Sequence, residues 1–204
     1  MMLKHISYRL FWFKKALVTV SGTLLGTLRL YLWGAKLKGL VKCVGLPYVE
    51  FSPAGCVRIG RACCLRSARC SNIAGIDLPV TLGVLQKGKL EIGDQCGISA
   101  SVIVAEESVI IGDRVMIGVN CRIADTDFHP LDLKSRAVPH SRGKTAPVVI
   151  GSDVFIGMNC IVLKGVSIGC GSVIAAGSVV TKSIPPHVMA GGNPARVLRS
   201  LGPE

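Results

Sequence analysis

From Ile92 onward, aliphatic residues recur at every sixth position. Ile92, Ile98 and Val104 are followed, after a one-residue slip, by Ile111, Ile117 and Ile123. Ile150, Ile156, Val162, Ile168, Ile174 and Val180 then run without a slip. The next residue is often glycine, as at Gly93, Gly112, Gly118, Gly151, Gly157 and Gly169. Four places after the aliphatic stands a small or β-branched residue, among them Cys96, Val115, Cys121, Val154, Cys160, Ser172 and Ser178. A period of six fits neither an amphipathic helix nor an alternating strand. It is the spacing of a β-helix, in which each hexad makes one short strand and one corner, and three hexads close a coil. Residues 150–185 thus supply two uninterrupted coils, a register that argues against a β-sandwich with chance spacing.

The pattern weakens upstream. Hexads begin at Ile59-Gly60 and Leu65, with Cys63 at the small position, and residues 71–89 lose the register and read as an irregular coil. Residues 124–149 interrupt the helix with Pro130, Pro139 and Pro147 around His129 and His140. A long insertion in a regular solenoid is disproportionately a functional loop. Gly191 to Arg199 reads as a turn and a short basic helix, with Pro194 in its first turn. The expected organisation is an N-terminal basic, apolar helical segment over 1–46, a β-helix over 47–188, and a C-terminal turn and short helix over 189–204.

Composition narrows the picture. Half of the residues are hydrophobic but only 5% are aromatic, which suits narrow β layers of Val, Ile, Leu and Ala. The formal net charge is +12, and 8 of the 24 basic residues precede residue 43, a stretch without Asp or Glu. Nucleic acid is a poor candidate partner, because no basic–aromatic stretch, helix-turn-helix or finger spacing is present. The nine cysteines include no C-x-x-C pair. Those on the repeat read as small buried hydrophobes, and so many unpaired thiols suit a reducing compartment.

Specific motifs then appear. Asp125-Thr126-Asp127-Phe128-His129-Pro130, followed by Arg136, resembles the His-Pro loop of the maltose, galactoside and nodulation-factor O-acetyltransferases. Ile150 to Gly157 resembles their next coil, and Ala175 to Pro186 with Gly192-Asn193-Pro194-Ala195-Arg196 resembles their C-terminal signature. The likeness covers about residues 90–200 and is nearest to acyltransferases of polysaccharide biosynthesis. It implies a mainly β, left-handed parallel β-helix, a homotrimer with active sites between neighbouring subunits, and acetyl-CoA as donor with no metal.

The resemblance also assigns roles. His129 is the expected general base, since a neutral imidazole can take the proton of an attacking hydroxyl near working pH. Asp125 and Asp127 either orient that imidazole and bind sugar hydroxyls or serve as turn residues. Arg136 touches the acceptor or holds the loop, and Ser99 is a candidate for the acceptor pocket. The Met158 amide is the expected donor to the oxyanion, a task that needs no particular side chain. CoA is expected near Ala176, with Thr181, Lys182, Arg196 and Arg199 around its polar and phosphate groups. His5, His140 and His187 carry no such support.

The acceptor expected from the resemblance is a sugar or a lipid-linked or polymeric glycan. A small amine, an antibiotic hydroxyl and a non-catalytic scaffold are the alternatives. A zinc enzyme of the β-helical carbonic anhydrase kind is disfavoured by the scatter of the histidines. Residues 1–42 combine eight cations with an apolar run, Ala16 to Leu28, of 13 residues. That is short of the roughly 20 needed to span a bilayer. Tyr8, Trp12, Tyr31 and Trp33 favour a water–lipid boundary. The expectation is an anionic membrane surface as partner and a cytoplasmic protein peripheral to the inner face of a bacterial membrane. The rival is a helix capping the first coil.

Overall fold

A computed structural model describes residues 2–202. After helix α1 (Met2–Leu32), short parallel strands wind into a three-sided β-helix. Face A carries Lys36–Leu37, Cys56–Ile59, Lys89–Ile92, Ser108–Ile111, Val148–Ile150 and Ser167–Ile168. Face B carries Lys42–Val44, Cys64–Arg66, Gly97–Ser99, Met116–Ile117, Phe155–Ile156, Val173–Ile174, Val188–Gly192 and Ala195–Ser200. Face C carries Tyr48–Phe51, Thr81–Val84, Val102–Ala105, Arg122–Ala124, Ile161–Val162 and Val179–Val180. The first coil begins at Lys36, ahead of the boundary at residue 47 read from the sequence. The irregular stretch is also narrower than 71–89, because the strand Thr81–Val84 is back in register on face C.

Periodicity becomes packing through stacked columns. Ile59, Ile92, Ile111, Ile150 and Ile168 are partners on face A, and Leu65, Ile98, Ile117, Ile156, Ile174 and Ala190 on face B. All are buried. Each large aliphatic contributes about 1.5–3 kcal/mol by leaving water. On face C the inward residue is Ile103, not Val104, and it stacks on Leu82 and Ile123. The corner after Ile98 is one residue shorter than its equivalents, so the slack moves to the turn at Glu106-Glu107.

The small position has its own chemistry. Cys63, Cys96, Cys121 and Cys160 are buried, as expected, and each thiol donates to a carbonyl of the adjoining coil at 3.1 Å. The acceptors are Gly93, Gly112, Gly157 and Ala175. The Cys96 and Cys121 thiols are held protonated by the thiol of the adjoining coil and by burial. Burial pushes Cys43 up to about 12. Cys43, Cys96 and Cys121 are therefore poor nucleophiles, whereas the bond from the adjoining thiol lowers Cys63 and Cys160 to about 7.

The two ends are closed differently. At the first coil, Thr23 Oγ1 accepts from Cys43 N (3.2 Å) and Thr27 Oγ1 from Val41 N (3.2 Å), while donating to the same residues' carbonyls. The helix thereby satisfies an open strand edge. A Cβ at Gly22 would lie 2.5 Å from Cys43 O, so glycine is what lets helix and strand approach. Helix α1 ends where Gly34 takes φ +88, Gly34 N donates to Tyr31 O and Ala35 N to Leu30 O. That is a Schellman termination, with Leu30 and Ala35 both buried.

At the other end the expected short basic helix is absent. Residues Ala195–Ser200 form a strand, antiparallel to Val188–Gly192 across the Asn193-Pro194 turn. A helix there would leave the last parallel strand with a bare edge, and pairing covers it.

Candidate active site

The loop at the corner between faces C and A is built on a narrow neck. Ala146 N donates to Asp125 O (2.9 Å), Thr126 bridges Thr145, and Asp127 N donates to Lys144 O (3.0 Å). Within it His129 N donates to Asp127 O at 2.7 Å around Phe128, whose φ is +61. This tight turn, backed by buried Pro130, leaves the His129 side chain exposed. Gly143 packs beneath it, and a Cβ there would lie 2.8 Å from both His129 O and Asp127 Cβ.

The two flanking aspartates part company. Asp125 is fully buried, and its carboxylate accepts from the amides of Glu106 (2.8 Å), Glu107 (2.8 Å) and Ser108 (2.6 Å). It therefore serves the long corner turn left by the register slip, and a substrate-binding role for Asp125 does not fit. Asp127 Oδ2 lies 3.4 Å from Lys164 Nζ, yet it is buried without an aligned hydrogen-bond donor. Glu106 ties the neck further, accepting from Thr126 Oγ1 (2.8 Å) and Arg142 Nη1 (3.1 Å).

Arg136 ends a one-turn helix, α2 (Leu133–Arg136), and its Nη1 donates to Leu131 O at 3.1 Å. Asp132 caps that turn by accepting from Ser135 N at 2.8 Å, which holds its carboxyl below the usual range. Arg136 is thus a loop-holding residue in this chain, with its head also in solvent. Thr181 and Lys182 are exposed on the same C–A corner, in the coil after Lys164.

The other expected residues sit elsewhere. Met158 and Ala176 stack on the corner between faces B and C, joined by Gly177 N to Met158 O (2.8 Å). Met158 is 37% exposed, and its amide has no acceptor among the described residues. The following Asn159 has φ +58, so Met158 opens a tight turn. Arg196 is the second residue of the final strand, beside the same corner and opposite Gly191, whereas Arg199 lies further along, opposite Met189. Ser99 also approaches this corner but is buried, so it does not line an open pocket of the single chain.

Sequence reasoning missed Asn120. It lies on the B–C corner one coil from Met158, with Asn159 N donating to Val119 O (2.8 Å). Its Nδ2 donates to Asp77 of the irregular segment (3.3 Å), while its Oδ1 is buried without a partner. Ile76 from that segment packs on Ala100 and Val119, so a second insertion leans on this corner. Among the described residues, Asn120 and Asp127 are the only ones with a buried, unpartnered side-chain oxygen or nitrogen. Each marks one of the two corners.

Residues 108–123 and 147–182 match the family described as the hexapeptide repeat of succinyl-transferase. These two stretches thus carry the hexapeptide repeat that the family model describes. It is 42% identical over 99 residues to galactoside O-acetyltransferase of Escherichia coli, covering 48% of this chain and 47% of that protein. The chain spans about half the length of the curated relatives it matches. A hexapeptide-repeat acetyltransferase of Vibrio cholerae, solved with acetyl-CoA, is 36% identical and superposes with a TM-score of 0.54, covering 60% of this chain and 66% of that one. A polySia-specific acetyltransferase superposes at 0.68 with 27% identity, covering 82% and 71%. As in these hexapeptide proteins, the coil is a left-handed parallel β-helix.

Within this hexapeptide chain, the histidine and the candidate oxyanion donor stand on different corners of one prism. The matched stretches flank the His129 loop on both sides, so the regular coils continue straight past the insertion. Lys164 and Glu106, which tie the loop to those coils, carried no sequence signal, because a charged corner residue is unremarkable in a solenoid.

Proposed function

We propose that this protein transfers an acetyl group from acetyl-CoA to a hydroxyl of a sugar or glycan, with His129 as general base. The observation that carries the reading is His129 itself. Its imidazole is exposed on a loop whose neck is fixed by backbone pairing, two residues from Asp127, whose carboxylate is paired with Lys164. A loop held this firmly around an unengaged base has the form of a site prepared for a polar acceptor. The likeness to acetyltransferases supports acetyl-CoA as the donor.

In the proposed reaction the acceptor hydroxyl gives its proton to His129 as its oxygen attacks the thioester carbonyl. The Met158 amide donates to the carbonyl oxygen as it becomes negative. The carbon–sulfur bond then breaks, and the protonated imidazole returns its proton to the departing CoA sulfur. No enzyme nucleophile is needed. Asp127, paired with Lys164, would hold the loop around His129, and Lys182, Arg196 and Arg199 would face the phosphates of CoA. Because base and amide occupy different corners, the site is completed between neighbouring subunits of a homotrimer.

The test is release of free CoA thiol from acetyl-CoA against panels of sugars, nucleotide-sugars and lipid-linked glycans. Alongside it, His129→Ala and Met158→Pro are assayed alone and as refolded mixtures. Proline suits the opening position of such a turn and removes the N–H together with the methionine side chain, and Met158→Ala, which keeps the N–H, separates the two losses. His129→Ala and Met158→Pro should each be inactive alone, and their mixture should regain activity. No turnover of any hydroxyl acceptor would refute acetyl transfer to a glycan. Inactive mixtures beside an active wild type would refute the shared site alone.

A further inference from the structure

We infer that helix α1 docks this protein onto an anionic lipid surface, lying along it. The helix divides its circumference between two tasks. Gly22, Thr23, Gly26, Thr27 and Leu30 face the first coil and close it. On the opposite side Leu10, Phe13, Leu17, Leu24, Leu28 and Tyr31 follow one another at spacings that keep a single face. Each is more than half exposed. At about 1.5 Å per residue the helix is about 46 Å long, so this apolar stripe runs well past the prism it caps.

Charge decides the occupant. Arg9 and Lys14 flank the stripe, Lys4, Lys15 and Arg29 lie further round the helix, and the first acidic residue of the sequence is Glu50. Lys15 Nζ lies 4.9 Å from the Trp12 ring, and Tyr8 and Phe11 pack edge-on against that ring. A helix pairing with a second copy of itself would bring these cations together with no acidic partner to receive them. An anionic headgroup layer supplies that partner, and its acyl boundary accepts the stripe. No described helix is long and apolar enough to cross a membrane, which fits a helix lying in the interface. Lys36, Lys38 and Lys42 continue the basic surface on the first coil and are all exposed. This inference is independent of the acetyl-transfer reading.

The experiment is flotation of the full chain with phosphatidylcholine vesicles, with or without phosphatidylglycerol. It compares wild type, Leu10→Glu/Leu17→Glu and Arg9→Glu/Lys14→Glu, with thermal melting and light scattering of each in parallel. All four residues are exposed and lie ahead of the segment Gly22–Leu30 that caps the coil, so each variant should melt like wild type. Wild type should float only with the anionic vesicles, and each pair should lower partitioning about tenfold or more. Failure of wild type to float would overturn the proposal, as would flotation of the Leu10→Glu/Leu17→Glu variant at the wild-type level. A smaller assembly for that variant, with unchanged flotation, would assign the stripe to self-association instead. Should a pair fail to fold, loss of wild-type flotation in high salt is expected, and salt-insensitive flotation would count against the proposal.

Discussion

The coils from Val148 to Val180 and the loop from Asp125 to Pro147 leave and rejoin the same edge of the prism, but they are held by opposite means. In the coils every inward residue repeats its neighbour. Ile156 sits between Ile117 and Ile174, and any one of the three is explained by the other two. In the loop nothing repeats. Asp125 serves three amides, Glu106 serves Thr126 and Arg142, and Gly143 makes room for one particular turn. Repetition builds the wall at low informational cost and leaves Met158 on one of its regular corners, whereas His129 stands where repetition is suspended, on polar contacts that each occur once.

The widest gap between the two regions should appear with His129→Ala. Its side chain is exposed and bonded to nothing among the described residues, so stability should hold. Turnover should fall on the order of 10²–10⁴, the usual loss for a general base. Measured kcat near the wild-type value would remove His129 from the chemistry. Ile156→Ala should do the reverse. It opens a cavity in a fully buried column and should cost about 2–5 kcal/mol in denaturant unfolding, with turnover retained by the fraction that stays folded. A loss under 1 kcal/mol would mean that the columns are not the main source of stability.

Gly143→Val tests whether the loop's private contacts act on the base. The new side chain must displace His129 O or Asp127, both 2.8 Å from its Cβ. A shift of about 1 Å in the imidazole is enough to cost up to about a hundredfold in kcat. Stability should change little, since the coils do not rest on the loop, and KM for acetyl-CoA should be unchanged. Unaltered kcat would show that the turn tolerates the displacement and that Gly143 is merely permissive.

How much of this was legible beforehand follows the same division. The six-residue period gave the β-helix and its inward columns, because equal spacing imposes equal environments. It misplaced the face-C residue at Val104, because a shortened corner and a lengthened one cancel to a single apparent slip. The first coil at Lys36–Phe51 was hidden by its lack of corner glycines in register and by the helix that covers it. The C-terminal strand read as a helix because its sequence shows residues but not the bare edge they must cover. The motif marked His129, yet it treated Asp125 and Asp127 alike. Only the count of amides around Asp125 separates a turn residue from a candidate ligand. Asn120 could not have been found, because an unpartnered buried oxygen is a property of packing.

Arg136→Ala should have the smallest effect and decides the last ambiguity in the loop. The guanidinium donates to Leu131 O at 3.1 Å across a one-turn helix and is otherwise in solvent. An exposed bond of this type is worth at most about 1 kcal/mol, because water replaces the lost partner readily. The neck pairing at Asp125, Thr126 and Asp127 lies on the far side of His129 and does not depend on it. Turnover and acceptor KM should therefore stay within about threefold of wild type, a change of under 1 kcal/mol. Local effects should be confined to faster proteolysis or hydrogen exchange over residues 131–141, where the surface is most open. A tenfold rise in acceptor KM with unchanged exchange would instead place Arg136 on the substrate.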